Sequence, residues 1–306
     1  METITDSKYL KRQKILNDRM LENNIDLIFC PPSADLEYLT GTKRRKPTFG
    51  NISYRHGWVC GAFFRVNSDP IFILPRMVAE FDMPYGAKGE KIIVNETDDG
   101  HLIFENVIKR FGKCSRIAVE ERTWAETVLN LKKITNAEII SSSTLVNMMR
   151  RIKDSQEIEM IQKACDIADY AMEKITENVS DGISERELSE ELDHLLHHKG
   201  SRGVSFDTAV WAMGKKTNRD ADDRETNSII PYGSSLLFDF GAIINGYCSD
   251  FGRTLAIGKA DSELQEVYEI VIKAAQAGLK AVKPGVLASD VDKATRKIIE
   301  DAGYGD

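Results

Sequence analysis

The sequence predicts two domains, an α/β domain over residues 1–153 followed by an α+β domain over residues 154–306. Three observations support this. The length of 306 residues and the hydrophobic content of 42% suit two cores better than one, at about 100 to 200 residues per domain. In the first half, short β-rich segments alternate with helical periodicity. In the second half two helices, a group of strands and two further helices follow in that order.

The first domain begins with a helix, and strands then alternate with helices. Apolar spacing predicts a helix over 8–22, a buried strand over 25–30 and a short helix over 34–39. Residues 58–66 and 70–74 flank an Asn-Ser-Asp turn and are expected to pair as a hairpin. Further strands are predicted over 91–94, 116–120 and 138–142, and helices over 101–111 and 124–134. This alternation favours a partly parallel sheet.

The second domain is predicted to open with a long helix, for which Ser155 is the expected N-cap. Ser184 and Glu187 have the spacing of a capping box, so a second helix is expected to run to about Lys199. Strands follow over 206–212 and 235–257, and helices over 263–282 and 288–302. This order of elements is typical of an α+β domain.

Composition excludes several classes of function. The net charge is -7 and basic residues cluster no further than Lys43–Lys46, so nucleic acid is not an expected partner. Residues 1–13 are polar and no apolar stretch approaches the roughly 20 residues that cross a bilayer, which predicts a soluble, cytoplasmic protein without a membrane partner. The five cysteines are scattered without a CxxC pair, which argues against a disulfide framework or a structural zinc site.

One hairpin carries the main chemical signal. Leu236–Ile244 reads as an apolar strand with a single carboxylate, Asp239, in its middle. An ionised carboxylate there is costly unless it is paired or bound to a metal. The following Asn245-Gly246 dipeptide is the strongest short-range signal for a two-residue type I′ turn. That turn pairs the strand with the segment that contains Asp250.

The turn determines which side chains share a face. With Asn245 and Gly246 at the turn, Asp239 lies opposite Gly252, and Asp250 lies diagonally across from Asp239 on the same face. Diagonal neighbours are about 7 to 8 Å apart at the backbone, a distance that two carboxylates can bridge through a cation. A register shift of one residue would separate the two side chains.

These residues predict a divalent-metal site with Asp239 and Asp250 as ligands. Oxygen donors suit Mn, Co or Zn, and two ions about 3.5 to 4 Å apart could activate a water molecule for hydrolysis. In the alternative interpretation, Asp239 is a hydrogen-bonded strand residue and Asp250 forms an ion pair with Arg253. We favour the metal site because the turn aligns two carboxylates that both lie in apolar sequence.

The hairpin resembles a known family. Residues 237–242, 245–250 and Arg253-Thr254 are similar to the paired-aspartate motif of the prolidase, aminopeptidase P and creatinase family of metallopeptidases. Three further segments resemble motifs of this family, namely Tyr38–Gly41, Ser155–Glu159 and Ser205–Thr208. The resemblance covers nearly the whole chain and is weaker before Arg150.

The resemblance implies the fold, the cofactors and the partners. It implies an RNase H-like creatinase N-domain and a pita-bread catalytic domain with two divalent metal ions, a peptide or small-molecule amide substrate and a homodimer. Members of the family complete the site with one His and two Glu from later strands, and this chain ends at Asp306. We therefore expect a C-terminally incomplete catalytic domain that is inactive alone.

One departure from the family concerns specificity. Proline-directed members have a substrate-facing His that matches Asp222 here, in the loop 214–225, which contains no His. A substrate role for Asp222 and a solvated surface turn are both open. A creatinase-like hydrolase of a small C-N substrate and a non-catalytic binding module on the same fold are also alternatives. His56 could reach an active site across a dimer, or could be an ordinary loop residue.

Overall fold

The computed structural model describes residues 5–43, 54–82, 87–180, 182–214, 217, 229–260 and 262–305. The chain forms two compact units. The first unit comprises Met1–Gln162 together with Ile244–Tyr247, and the second comprises Lys163–Ile243 together with Cys248–Asp306. The predicted boundary at residue 153 stays a prediction.

The first unit is built on a mixed six-stranded sheet. The strands lie in the order β4-β3-β2-β1-β5-β6, with parallel pairing of β1 with β5, β5 with β6 and β3 with β4, and antiparallel pairing of β2 with β1 and β3. The elements are α1 (Asp6–Glu22), β1 (Leu27–Cys30), α2 (Ala34–Thr40), β2 (Gly61–Phe64), β3 (Ile71–Pro75), β4 (Glu90–Val94), α3 (Gly100–Arg110), β5 (Arg116–Val119), α4 (Ala125–Ile134), β6 (Glu138–Ser141) and α5 (Ser143–Arg151). The predicted partly parallel sheet is confirmed, and α5 is an additional helix that ends inside the charged segment at residues 150–154.

Strand β1 shows why this sheet forms. Its four residues are all buried because both faces of the sheet are covered. Ile28 and Cys30 face one core with α1, α2 and α5, whereas Leu27 and Phe29 face a second core with α3 and α4. Side chains that alternate between two cores make β1 the centre of the unit.

The second unit has the predicted order of helices and strands. It contains a three-stranded antiparallel sheet in the order β11-β8-β7. The two-stranded pair β9-β10 lies between β8 and β11 in sequence, and its residues Ile244 and Tyr247 belong to the first unit. The elements are α6 (Ser155–Asn178, which begins in the first unit), α7 (Glu185–His198), β7 (Ala209–Met213), β8 (Ser235–Phe240), β9 (Ile243–Ile244), β10 (Tyr247–Cys248), β11 (Phe251–Ala256), α8 (Ser262–Ala281) and α9 (Ala288–Asp301). Helices α8 and α9 pack against each other. None of the helices in the described part of the chain is long and apolar enough to cross a membrane.

The two predicted helix caps have different outcomes. Ser184 and Glu187 form a capping box at the start of α7, as predicted. Ser155 is not the N-cap of α6. Instead, Asp154 Oδ1 accepts a hydrogen bond from Glu157 N at 3.0 Å, and Glu157 Oε2 accepts one from Asp154 N at 2.8 Å. Asp154 is the favoured N-cap because Glu157, three residues later, accepts a reciprocal hydrogen bond from the Asp154 backbone. A cap at Ser155 would have Ile158 at that position, and Ile158 has no side-chain acceptor.

Candidate metal centre

The register of the hairpin is the predicted one. Strands β8 and β11 are antiparallel, with Gly252 opposite Asp239 and Phe251 opposite Phe240. Asp250 directly precedes β11, two residues before Gly252. This register gives Asp250 the predicted diagonal relation to Asp239, two residues before the partner of Asp239 along the chain.

The turn that sets this register is also the predicted one. Asn245 and Gly246 have φ angles of 50° and 87°, the two left-handed conformations that a type I′ turn requires. A Cβ atom on residue 246 would lie 2.9 Å from Cδ of Glu37, so the turn approaches a side chain of the first unit closely. Residue 246 is glycine because of both its positive φ angle and the lack of space for a Cβ atom.

A small hydrogen-bonded joint lies between the two aspartates along the hairpin. Ser249, which directly precedes Asp250, donates its backbone N–H to the Ala242 carbonyl at 3.0 Å, and its Oγ accepts a bond from Ala242 N at 3.0 Å. Its carbonyl accepts a bond from Ser205 Oγ at 2.9 Å. Ser249 is buried, and these bonds fix the backbone from which Asp250 projects.

Gly241 belongs to the same joint. A Cβ atom at this position would lie 2.1 Å from both Ser205 Oγ and the Ser249 carbonyl oxygen. No side chain fits at that distance, so the close approach of the three segments requires glycine.

We predict opposite effects for alanine at the two glycines of this hairpin. Gly241→Ala is expected to be strongly destabilising because of the clash with Ser205 and Ser249. Gly252→Ala is expected to raise the free energy of unfolding by about 0.5–1 kcal/mol, since its Cβ would meet only the Phe238 carbonyl at 3.9 Å. Urea unfolding of the two variants measures both effects. Equal changes would contradict the packing described for this joint.

A second prediction concerns Ser249. Ser249→Ala removes the partner of the buried Ala242 N–H, and the free energy of unfolding is expected to fall by about 1–3 kcal/mol. Ser235→Ala in β8 is a matched control, because the Ser235 hydroxyl makes an exposed contact of 3.4 Å with the Met213 carbonyl. Thermal unfolding of both variants is the measurement, and a control as damaging as Ser249→Ala would refute the prediction.

Asp239 occupies the more open face of β8. Leu236, Phe238 and Phe240 alternate with it and are fully buried on the other face, whereas Asp239 is half-buried. Its cross-strand neighbours are Ala209 on β7 and Gly252 on β11. Because both neighbours are small, space is left beside the carboxylate.

Asp250 differs from its expected environment. It is exposed, so the expectation of apolar surroundings for both aspartates is wrong for this residue. The hairpin ladder is interrupted at Gly241 and Asp250, so Asp250 lies outside the paired strands. The ion pair with Arg253 is also wrong: Arg253 instead lies 4.6 Å from the centre of the Phe251 ring and donates a hydrogen bond to the Gly252 carbonyl.

The donor set fits part of a divalent-metal site. Two carboxylates on one face supply the oxygen ligands that Mn, Co and Zn accept. Within the described ranges, no group of three or more His, Cys, Asp or Glu side chains could hold a metal ion. Among the described residues, the hairpin thus offers two candidate ligands, and their role as ligands stays a prediction.

Comparison with known proteins shows the family. Residues 12–152 match the creatinase/prolidase N-terminal domain, and residues 159–306 match metallopeptidase family M24. The putative dipeptidase YkvY of Bacillus subtilis is 34% identical over 254 residues, which are 82% of this chain and 69% of that protein. This chain belongs to metallopeptidase family M24.

Other M24 relatives agree. The Xaa-Pro dipeptidase of Pyrococcus furiosus is 28% identical over 291 residues, covering 94% of this chain and 76% of that protein. The prolidase structure from Thermococcus sibiricus superposes with a TM-score of 0.86 at 26% identity, covering 99% of this chain and 80% of that one. The Xaa-Pro dipeptidase structure from Bacillus anthracis gives a TM-score of 0.78 at 26% identity, with coverages of 97% and 79%. The expected family and the pita-bread fold are confirmed.

The roles of two residues suggested by the M24 resemblance stay predictions. Asp222 lies outside the described residues, as does most of the loop around it. His56 lies in the first unit, where its Nε2 atom is buried, and its role across a dimer stays a prediction. The homodimer and the cytoplasmic location also stay predictions.

The M24 hairpin depends on residues that the sequence pattern did not reveal. Ser205 and Ser249 bond across a separation of 44 residues, and Tyr247 contacts Arg12 across 235 residues. The position of Tyr247 directly after the turn was the one available signal, since a bulky polar residue there needs a partner when it is buried.

Proposed function

We propose that this protein is a divalent-metal-dependent hydrolase that cleaves an amide bond in a dipeptide of the Xaa-Pro type. The observation that supports this proposal is the pairing of Asp239 with Gly252, which aligns Asp239 and Asp250 on one face of a hairpin in an M24 chain. Two like charges so close together are favourable only with positive charge between them.

Asp239 and Asp250 would hold the ions. When bound, divalent ions polarise an amide carbonyl and lower the pKa of a water molecule enough to make it a nucleophile at neutral pH. In this proposal, the hairpin holds both carboxylates at fixed positions. Mn, Co and Zn are the candidate metals, and two ions are proposed because the M24 resemblance implies a dinuclear centre.

The proposed substrate follows from the relatives. The Pyrococcus furiosus and Bacillus anthracis proteins are Xaa-Pro dipeptidases by name, and the same substrate class is proposed here. The loop 214–225 lacks the His of proline-directed members, which favours the alternative of a small non-peptide C-N substrate. An imidazole donates a hydrogen bond near neutral pH, whereas an ionised aspartate accepts one.

Metal removal and a substrate panel test this proposal. Dialysis against a chelator is expected to reduce hydrolysis of Ala-Pro and Met-Pro by the intact protein to background, and added Mn²⁺ or Co²⁺ is expected to restore it. Ala-Ala tests the preference for proline, and creatine tests the non-peptide alternative. Hydrolysis that survives metal removal would contradict the proposal. Hydrolysis of creatine without hydrolysis of the dipeptides would show that the substrate is the non-peptide alternative.

A further inference from the structure

A buried polar cluster surrounds the tip of the aspartate hairpin, defined here as residues 244–247. This tip belongs to the first unit, as do the other members of the cluster. Arg12 Nη2 donates hydrogen bonds to Glu157 Oε1 at 3.1 Å and to the Tyr247 hydroxyl at 2.8 Å. The Tyr247 hydroxyl donates to the same Glu157 oxygen at 2.9 Å. The three side chains thus form a closed triangle of hydrogen bonds.

Arg12 is held from several directions. Its side chain is 5% exposed, Nη1 donates to the Tyr38 carbonyl at 2.8 Å, and its guanidinium lies 3.8 Å from the centre of the Tyr38 ring. A planar guanidinium can make these contacts together because its donors point in fixed directions. Arg12 is therefore a rigid donor for the other two residues.

Glu157 is held equally firmly. Its second oxygen, Oε2, accepts the bond from Asp154 N that caps α6, and Lys8 Nζ binds Asp154 Oδ1 at 2.9 Å. The Glu157 side chain is 5% exposed. One carboxylate oxygen of Glu157 therefore takes part in the N-terminal cap of the 24-residue helix α6, and the other accepts hydrogen bonds from both Arg12 and Tyr247.

Tyr247 connects this cluster to the hairpin. It is the first residue after the type I′ turn and opens β10. Burial raises the pKa of Tyr247 well above its ordinary value, against the lowering effect of Arg12, so the hydroxyl keeps its proton and can donate to Glu157. Asp250 follows three residues later.

The hairpin needs such an anchor. Strands β9 and β10 have two residues each, and the ladder between them and β8–β11 is interrupted at the joint of Gly241 and Ser249. A short two-stranded hairpin is marginally stable in water by itself. Asp250 lies in this interruption, so its position depends on β11 on one side and, on the other, on the Ser249 joint together with the anchored tip that precedes it.

We propose that Tyr247 is a positioning residue for the metal centre. Its hydroxyl, held by Arg12 and Glu157, fixes the hairpin tip and thereby the approach of Asp250 towards Asp239. The inference rests on the proposed assignment of those two aspartates as metal ligands. It adds a requirement that the ligands alone do not impose: metal affinity depends on a hydroxyl that touches neither ion.

The test compares two tyrosine variants in the intact protein. Tyr247→Phe keeps the ring and removes only the hydroxyl, and Mn²⁺ affinity measured by calorimetry is expected to fall about 10-fold, the low end of the loss seen when groups that hold metal ligands are removed. Tyr38→Phe is the matched control, because its hydroxyl bonds the Met149 carbonyl in the same unit while its ring still covers Arg12. Its Mn²⁺ affinity is expected to equal that of the wild type.

A second variant covers the possibility that Tyr247→Phe fails to fold. In Arg12→Lys a single ammonium cannot reach the Tyr38 carbonyl, Glu157 and Tyr247 together, so Mn²⁺ affinity is expected to fall there as well. Equal loss of affinity in Tyr247→Phe and Tyr38→Phe would overturn the inference, since general destabilisation would then explain both.

Asp250→Asn separates the two proposals. If Asp250→Asn abolishes Mn²⁺ binding while Tyr247→Phe and Arg12→Lys bind as the wild type does, the positioning role is wrong and the proposed ligands stand. If Asp250→Asn also binds Mn²⁺ as the wild type does, the ligand assignment fails and the inference fails with it. Loss in Asp250→Asn with about 10-fold weakening in Tyr247→Phe supports both.

Discussion

Asp239→Asn and Asp250→Asn are each expected to abolish stoichiometric binding of Mn²⁺ or Co²⁺ and, with it, hydrolysis. The amide oxygen of Asn is a neutral and weaker donor, and two carboxylates on one face are the only part of the donor set that the described residues supply. Metal content after dialysis, determined by inductively coupled plasma mass spectrometry on the intact protein, measures the effect.

Asp292→Asn is the matched control for the two ligand variants. Asp292 is a carboxylate on the exposed helix α9, where it pairs with Arg296 at 3.3 Å. This variant changes the net charge by the same amount and is expected to retain its metal. Wild-type metal content in Asp239→Asn or Asp250→Asn would contradict the ligand assignment.

Arg12→Met is expected to lower the free energy of unfolding of the first unit by about 3–5 kcal/mol. Removal of one partner leaves Glu157 buried without its cation, and an unpaired buried charge is much more costly than the pair. The side chains of both residues are 5% exposed, so water replaces the lost contact poorly. Urea unfolding followed by tryptophan fluorescence measures the loss, because the buried Trp58 lies in the first unit.

The double variant Arg12→Met with Glu157→Met tests the physical reason. Replacing both charges by apolar side chains removes the unpaired carboxylate, so part of the stability is expected to return. Arg150→Met is a useful comparison. Its partner Asp35 is buried, but burial raises the pKa of Asp35, so this carboxyl can take up a proton more easily, and Arg150 itself is partly exposed. A smaller loss is expected there; a double variant as unstable as Arg12→Met would contradict the account.

The sequence predicted the hairpin well because its register depends on two neighbouring residues. Asn245 and Gly246 can both adopt positive φ, and the type I′ turn that results puts Asp239 opposite Gly252 without help from distant segments. The six-stranded sheet was predictable for a similar reason, since each strand carries its own apolar pattern.

The sequence did not predict contacts between distant residues. The joint of Gly241, Ser205 and Ser249 and the triangle of Arg12, Glu157 and Tyr247 depend on how separate segments pack, which local periodicity does not encode. The exposure of Asp250 was missed for the same reason. Cys248 and Phe251 near it are apolar, but Asp250 lies just outside β11 and is exposed.

The most direct test of the metal half-site is a crystal structure of the intact protein grown with Mn²⁺, with anomalous diffraction used to locate the ions. Two peaks about 3.5–4 Å apart are expected, with carboxylate oxygens of Asp239 and Asp250 at about 2.0–2.2 Å from them. An anomalous map without a peak beside these two carboxylates, or with Mn²⁺ bound at another site, would contradict the assignment.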